Sequence, residues 1–267
     1  MKIYLLGDVG EYNKNTQNIF KKIKENKDDN DAILLLGDNF YPNGINSIDD
    51  KKWNNFKELN IDIPVWCVLG NHDYLGNVKE QIKFNSNNWN LPNYYYKKTL
   101  DNIDFFFIDT SILIPEYSNI NYNIVKSKID KEPLNVSKEM TDWLEDELKK
   151  SINPKVVVGH YPIFSYGLYG INKKLFDILF PIFSKHQVKY YISGHDHNLQ
   201  IIDVATSEFN MKQIISGATS HIYPLLKNAS NKIFARFGIV IINTTDKSVE
   251  IVNRNLKPLY KEKLNFD

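Results

Sequence analysis

Ile63-Pro64-Val65-Trp66-Cys67-Val68-Leu69-Gly70-Asn71-His72-Asp73-Tyr74 joins a short apolar run to a polar turn. Bounded by turn residues, the run reads as a buried strand. A Gly, an amide, an imidazole and a carboxylate then sit at the strand's C-terminal end. That is the edge at which open α/β sheets place their ligands. Gly-Asn is also a common turn dipeptide, so the stretch alone leaves a plain turn and a metal-and-acid site both open. The other strand ends separate the two readings.

Upstream, the pattern occurs twice more. Residues 2–6 read as a strand ending in Gly7-Asp8-Val9-Gly10, and residues 31–36 as one ending in Gly37-Asp38-Asn39-Phe40-Tyr41-Pro42. Thr16 is placed as the cap of a helix carrying Ile19, Phe20 and Ile23; Ser47 opens another with Trp53, Phe56 and Leu59. The order β-α-β-α-β predicts parallel strands joined by right-handed crossovers, with every polar turn on one edge.

Downstream, a helix over 78–84 precedes a hairpin pair, 94–96 with 103–108. Residues 111–135 carry little periodicity and read as a long surface loop, a lid or a disordered insert. Ser137 is placed as the cap of an amphipathic helix striped by Met140, Trp143, Leu144 and Leu148. Strands at 155–158 and 189–192 end in Gly159-His160-Tyr161-Pro162 and Gly194-His195-Asp196-His197-Asn198. Between them a helix over 173–185 is expected to kink or end at Pro181. Short β-type runs fill 199 onward. One domain over 1–267 is expected.

Lys+Arg 33 against Asp+Glu 32 leaves a net charge of +1. No field of one sign points to nucleic acid or an anionic membrane as a partner. No apolar run approaches the ~18 residues of a membrane span. Met1 to Leu6 reaches Gly7-Asp8 without an apolar signal core, so a soluble and, by default, cytoplasmic monomer is expected. Cys67, the single cysteine, lies in the apolar run and reads as an inert buried thiol. Sequons at Asn135, Asn228 and Asn243 are what so Asn-rich a chain produces by chance.

Four of the six histidines fall in these strand-end turns, beside Asp8, Asp38, Tyr41 and Asn71. Oxygen ligands mixed with imidazoles suit Fe, Zn or Mn. Two metals ~3.5–4 Å apart need a bridging carboxylate. In extended backbone, His195-x-His197 puts both imidazoles on one side, one for each metal.

The series Gly-Asp-x-Gly, Gly-Asp-Asn-Phe-Tyr, Gly-Asn-His-Asp, Gly-His-Tyr-Pro and Gly-His-Asp-His-Asn-Leu-Gln, in this order from Gly7, resembles the calcineurin-like metallophosphoesterases. It is most similar to the small, tartrate-resistant type of purple acid phosphatase. Asp8-Val9-Gly10 lacks the histidine most of that superfamily carries, and Tyr41 stands where purple acid phosphatases supply a phenolate instead. The resemblance implies a four-layer α/β/β/α sandwich with two mixed sheets. It implies Fe(III) held by Asp8, Tyr41 and His197, a second divalent metal (Fe, Zn or Mn) held by Asn71, His160 and His195, and Asp38 bridging. It also implies that His72 faces the phosphate and protonates the leaving group, oriented by Asp73. A metal-bound hydroxide would attack a small phosphomonoester or phosphoprotein; a phosphodiesterase or nucleotide pyrophosphatase on the same scaffold is the alternative, and a non-catalytic binding protein of the fold a third reading. Tyr169 stands where the family carries a second substrate-facing histidine; it can donate a hydrogen bond but brings no positive charge. Family members are often secreted or lysosomal. Ile114 to Asn135 lies where mammalian-type enzymes carry a regulatory loop. His221 lies near the same edge, outside the seven assigned ligands.

Overall fold

The apolar runs become strands, and the chain alternates them with helices in its first half. In the computed structural model, which describes residues 1–84, 88–207, 209–226 and 232–266, β1 (Lys2–Leu6), α1 (Lys14–Asn26), β2 (Ala32–Leu36), α2 (Lys52–Glu58) and β3 (Val65–Val68) come first. The turn helix α3 (Asn71–Tyr74), α4 (Val78–Lys83), β4 (Trp89–Asn90), β5 (Tyr96–Leu100), β6 (Ile103–Phe107), α5 (Thr110–Leu113) and α6 (Tyr122–Ile129) follow. Next are α7 (Pro133–Lys150), β7 (Lys155–Val158), α8 (Lys173–His186) and β8 (Tyr190–Ser193). The tail is all strand: β9 (Leu199–Ala205), β10 (Asn210–Ser216), β11 (Ile233–Phe234), β12 (Gly238–Asn243), β13 (Ser248–Asn253) and β14 (Pro258–Lys263).

These strands form two seven-stranded mixed sheets, ordered β14-β13-β12-β1-β2-β3-β4 and β11-β9-β10-β8-β7-β6-β5. Within each, the central strands are parallel: β1 with β2 with β3, and β6 with β7 with β8 with β10. Every residue of β2 and β6 is buried, as strands covered on both faces must be. Contacts of β12 with β9 and β10 join the sheets face to face, with α1 and α2 flanking one and α7 and α8 the other. The architecture is therefore the α/β/β/α sandwich. Ser216 Oγ stitches the sheets together, donating to the Leu5 carbonyl at 2.6 Å and accepting from Val240 N at 3.0 Å. No helix of the described residues is long and apolar enough to cross a membrane.

Several expectations shift. Residues 111–135 are not one continuous loop: α5 and α6 lie within them, and Ile112, Ile120, Val125 and Ile129 are buried. The polar residues between these anchors hide the period. Helix α7 starts at Pro133 rather than at a Ser137 cap, because proline's fixed φ suits the first helical turn. Asn13, not Thr16, caps α1, accepting from Asn15 N and Thr16 N. Helix α8 runs through Pro181 to His186. Asn135 lies within α7, Asn243 donates to Asp246 Oδ2 at 3.1 Å, and Asn228 lies outside the described residues.

Candidate metal centre

The C-terminal ends of β1, β2 and β3 in one sheet meet those of β7 and β8 in the other. Glycine permits the approach. A Cβ on Gly7 would stand 2.6 Å from the Ser216 carbonyl oxygen, and Gly37, at φ +90°, would bring one within 2.5 Å of the His160 ring. Asp8, Asp38 and His195 occupy the left-handed region, at φ 61°, 53° and 63°. That conformation costs a non-glycine residue about 1 kcal/mol or more and is typical of strained functional turns.

Two groups of ligand atoms converge there. Tyr41 Oη lies 3.1 Å from Asp8 Oδ1, 3.0 Å from Asp38 Oδ2 and 3.1 Å from His197 Nε2. His160 Nε2 lies 3.0 Å from Asn71 Oδ1, 3.2 Å from His195 Nδ1 and 3.4 Å from Asp38 Oδ1. Asp38, His160 and His195 form a tight group able to hold a cation. The His-x-His pair divides, His195 to one group and His197 to the other. It does so from a turn with His195 left-handed, rather than from extended backbone.

The donors and acceptors fit cations. His72 Nδ1 contacts the Pro42 carbonyl, so it carries the proton and Nε2 is left to accept from Asn119 Nδ2 at 3.2 Å. Asn119 Oδ1 therefore accepts from Asn71 Nδ2 at 2.7 Å, and this turns Asn71 Oδ1 toward His160. His160 Nδ1 donates to the Leu36 carbonyl at 2.7 Å, leaving a lone pair on Nε2. With the ring neutral, Asn71 Oδ1 and the His160 Nε2 lone pair face one another at 3.0 Å and suit a shared cation. In the other group Tyr41 Oη, Asp8 Oδ1 and His197 Nε2 lie within 3.2 Å of one another, with Asp38 Oδ2 3.0 Å from Tyr41 Oη. A cation in each group would be held by all of these atoms.

The electrostatics agree. Burial and the charges of Asp38 and Asp8 push the Tyr41 phenol well above its usual range, so a strong Lewis acid is needed to ionise it. Burial, with His160, His197 and His72 adding like charge, holds His195 well below the ordinary imidazole range and keeps a lone pair available. Burial would raise Asp8, but His197 and the His195 backbone N–H hold it below the usual carboxylate value.

One role assigned from the sequence changes. Asp73 does not touch His72. Its buried carboxylate accepts from Gly70 N at 2.9 Å, Asn39 N at 3.1 Å and Gln81 Nε2 at 2.9 Å, and so fixes the turn. Burial, with the charge of Asp38, pushes it up to about 6. The Pro42 carbonyl orients His72 instead, and no side-chain pattern could announce a backbone acceptor. Tyr169 lies on the His195 ring, centroids 4.1 Å apart. His221 pairs with Glu11 Oε1 at 2.9 Å and stands edge-on to Tyr41, outside both groups. Unforeseen are Asn119, which touches Asn71 and His72, and Tyr117 and Tyr223, which lean on His195 and His197.

Residues 1–199 match the calcineurin-like phosphoesterase family. The chain is 31% identical to tartrate-resistant acid phosphatase type 5 of Sus scrofa, over 88% of this chain and 75% of that one. It is 33% identical to purple acid phosphatase 7 of Arabidopsis thaliana, over 65% of this chain and 56% of that one. Among solved structures, GAP50, the anchor in the inner membrane complex of Plasmodium, shares the fold with a TM-score of 0.79 at 24% identity, covering 100% of this chain and 89% of that one. With its ligand turns in family order and its relatives named tartrate-resistant and purple acid phosphatases, the chain belongs to the calcineurin-like phosphoesterases, metal-dependent hydrolases.

Proposed function

We propose that this chain is an acid phosphatase hydrolysing phosphate monoesters at a two-metal centre. The observation that carries this reading is the division of Asp38. Its Oδ2 faces Tyr41, 3.0 Å away, and its Oδ1 faces His160, 3.4 Å away. A carboxylate shared in this way suits two ions with a common bridge. Asp8, Tyr41 and His197 would hold Fe(III); Asn71, His160 and His195 would hold divalent Fe, Zn or Mn. Bound there, the pair would lower the pKa of a water molecule and neutralise charge on the phosphoryl oxygens.

The chain's own residues supply the rest. His72 is anchored at Nδ1 by the Pro42 carbonyl, and its Nε2 is directed at Asn119 beside the ligand Asn71. Carrying its second proton, His72 delivers it from Nε2 to the leaving oxygen once Asn119 has moved aside. Asp73 holds the turn rigid, so His72 and Asn71 keep their relation. Tyr169 donates a hydrogen bond to the substrate.

Metal analysis combined with turnover tests this reading. Two metals per chain, a colour lost in Tyr41→Phe, and hydrolysis of p-nitrophenyl phosphate but not of its bis ester are expected. One metal per chain, or faster cleavage of the bis ester, would overturn it.

A further inference from the structure

The turn after β10 brings a histidine to the metal centre that is not among its candidate ligands. His221 stacks on the His197 ring, centroids 5.3 Å apart and planes 23° apart. It stands at 90° to the Tyr41 ring, 5.4 Å away. His72 is also edge-on to that phenol, 4.6 Å away at 79°. Two imidazoles thus border one ring, His72 next to the ligand Asn71 and His221 over the ligand His197.

Hydrogen bonds fix the His221 ring and its protons. Nε2 lies 2.9 Å from Glu11 Oε1, and Nδ1 lies 3.1 Å from Ser220 Oγ. Ser220 Oγ donates its own proton to the Asp8 carbonyl, so it accepts from Nδ1. The ionised Glu11 carboxylate can only accept. Both ring nitrogens therefore donate, and His221 is held as the imidazolium. Asn13 Nδ2 braces the arrangement, donating to the Ser220 carbonyl at 2.8 Å and to Glu11 Oε2 at 3.1 Å. The ring is tied in this way to Asp8, Tyr41 and His197 together, which an ordinary surface ion pair has no need of.

The pair nevertheless stays within reach of solvent, with 35% of the His221 side chain and 44% of the Glu11 side chain accessible. An ion pair this exposed is weak, so an anion arriving at the centre can take the place of Glu11 at Nε2. The protein charges acting most on Asp8, Tyr41 and His197 belong to aspartates and histidines. An imidazolium is therefore what this side of the centre offers a phosphate.

We propose that His221 is a phosphate-binding residue of the centre, donating from Nε2 to a phosphoryl oxygen once Glu11 is displaced. This rests on the monoesterase reading above and adds a substrate contact to it.

Calorimetric titration of the metal-loaded protein with inorganic phosphate tests the contact without turnover. His221→Ala should weaken phosphate binding about tenfold, the size of one charge-assisted hydrogen bond. His221→Arg, which keeps a charge and donors, should stay within about threefold of the wild type. Glu11→Gln should bind phosphate about threefold more tightly, because the carboxylate no longer competes for Nε2. Metal content per chain should be unchanged in all three variants. Phosphate affinity unchanged in His221→Ala, with monoester turnover intact, would overturn the contact and leave the monoesterase reading standing. Weaker binding accompanied by loss of metal would also overturn it, since His221 would then brace the ligands rather than touch phosphate. Wild-type protein that neither binds phosphate nor hydrolyses monoesters would overturn both.

Discussion

His72 is held from both ends of its ring, by the Pro42 carbonyl at Nδ1 and by Asn119 at Nε2. The first contact leaves Nε2 free to meet substrate in the proposed reaction; the second occupies that atom in this structure. His72→Ala removes the proton donor but no metal ligand. It should lower kcat/KM about 10²–10⁴-fold, the usual range for a positioned acid, with metal content per chain unchanged. Loss of metal in that variant would move His72 into the coordination sphere and refute its role as the acid. Asn119→Ala acts in the opposite direction. Substrate no longer has to displace an amide worth about 1 kcal/mol, so kcat/KM should rise about fivefold. The same change frees Asn71 to flip its amide, so the divalent metal should dissociate faster in a chelator chase. An unchanged kcat/KM together with an unchanged chase would show that Asn119 does not engage these groups in solution.

Helix α5 opens on Asp109, whose Oδ1 accepts from Ser111 N at 2.9 Å and whose Oδ2 accepts from the Tyr74 hydroxyl at 2.7 Å. Burial pushes this carboxyl up to about 7 despite those donors. Unfolded, an Asp titrates near about 3.9. Between these values the folded chain keeps a proton that the unfolded chain has lost, so stability falls as pH rises from about 4 through about 7. In urea unfolding, Asp109→Asn should remove that slope while keeping the cap, since an amide oxygen can accept from the same backbone groups. Parallel wild-type and variant curves across this window would show that Asp109 is ionised throughout. Elements of this size also mark where the sequence was legible. Runs such as Ala32–Leu36 and residues 156–158 announce themselves because strands covered on both faces must be apolar throughout. The turns that meet at the candidate site were legible because Gly followed by Asp, Asn or His is a local signal. What stayed hidden depends on contacts distant in sequence. Asp73 reads like a partner for its neighbour His72, yet it spends its acceptors on Asn39, Gln81 and Gly70. Segment 111–135 reads as loop because α5 and α6 are too short to establish a period, and only docking beside α7 and α3 shapes them.

The site belongs to neither sheet alone. Asp8, Asp38, Tyr41 and Asn71 follow β1, β2 and β3, while His160, His195 and His197 follow β7 and β8. Cations held by these residues would act as a clasp between two halves already joined by Ser216 and by the backbone bond from Gly7 N to the Ser216 carbonyl, 2.7 Å long. Loading should therefore stabilise the whole molecule rather than one loop. At an ion concentration of about 100 Kd, linkage gives about 2.7 kcal/mol for one site. For a chain of this size that raises Tm by roughly 5–10 °C. Calorimetric melts should show the rise as one cooperative transition, reversed by a chelator. Asp38→Asn keeps the shape but removes the shared charge, so most of the shift should vanish. His160→Ala removes one of the ligands from the second sheet and should also reduce it, because His195 alone would then hold the divalent ion on that side. A wild-type Tm unmoved by loading, or a full shift retained in Asp38→Asn, would mean that the sheets are not joined through this centre.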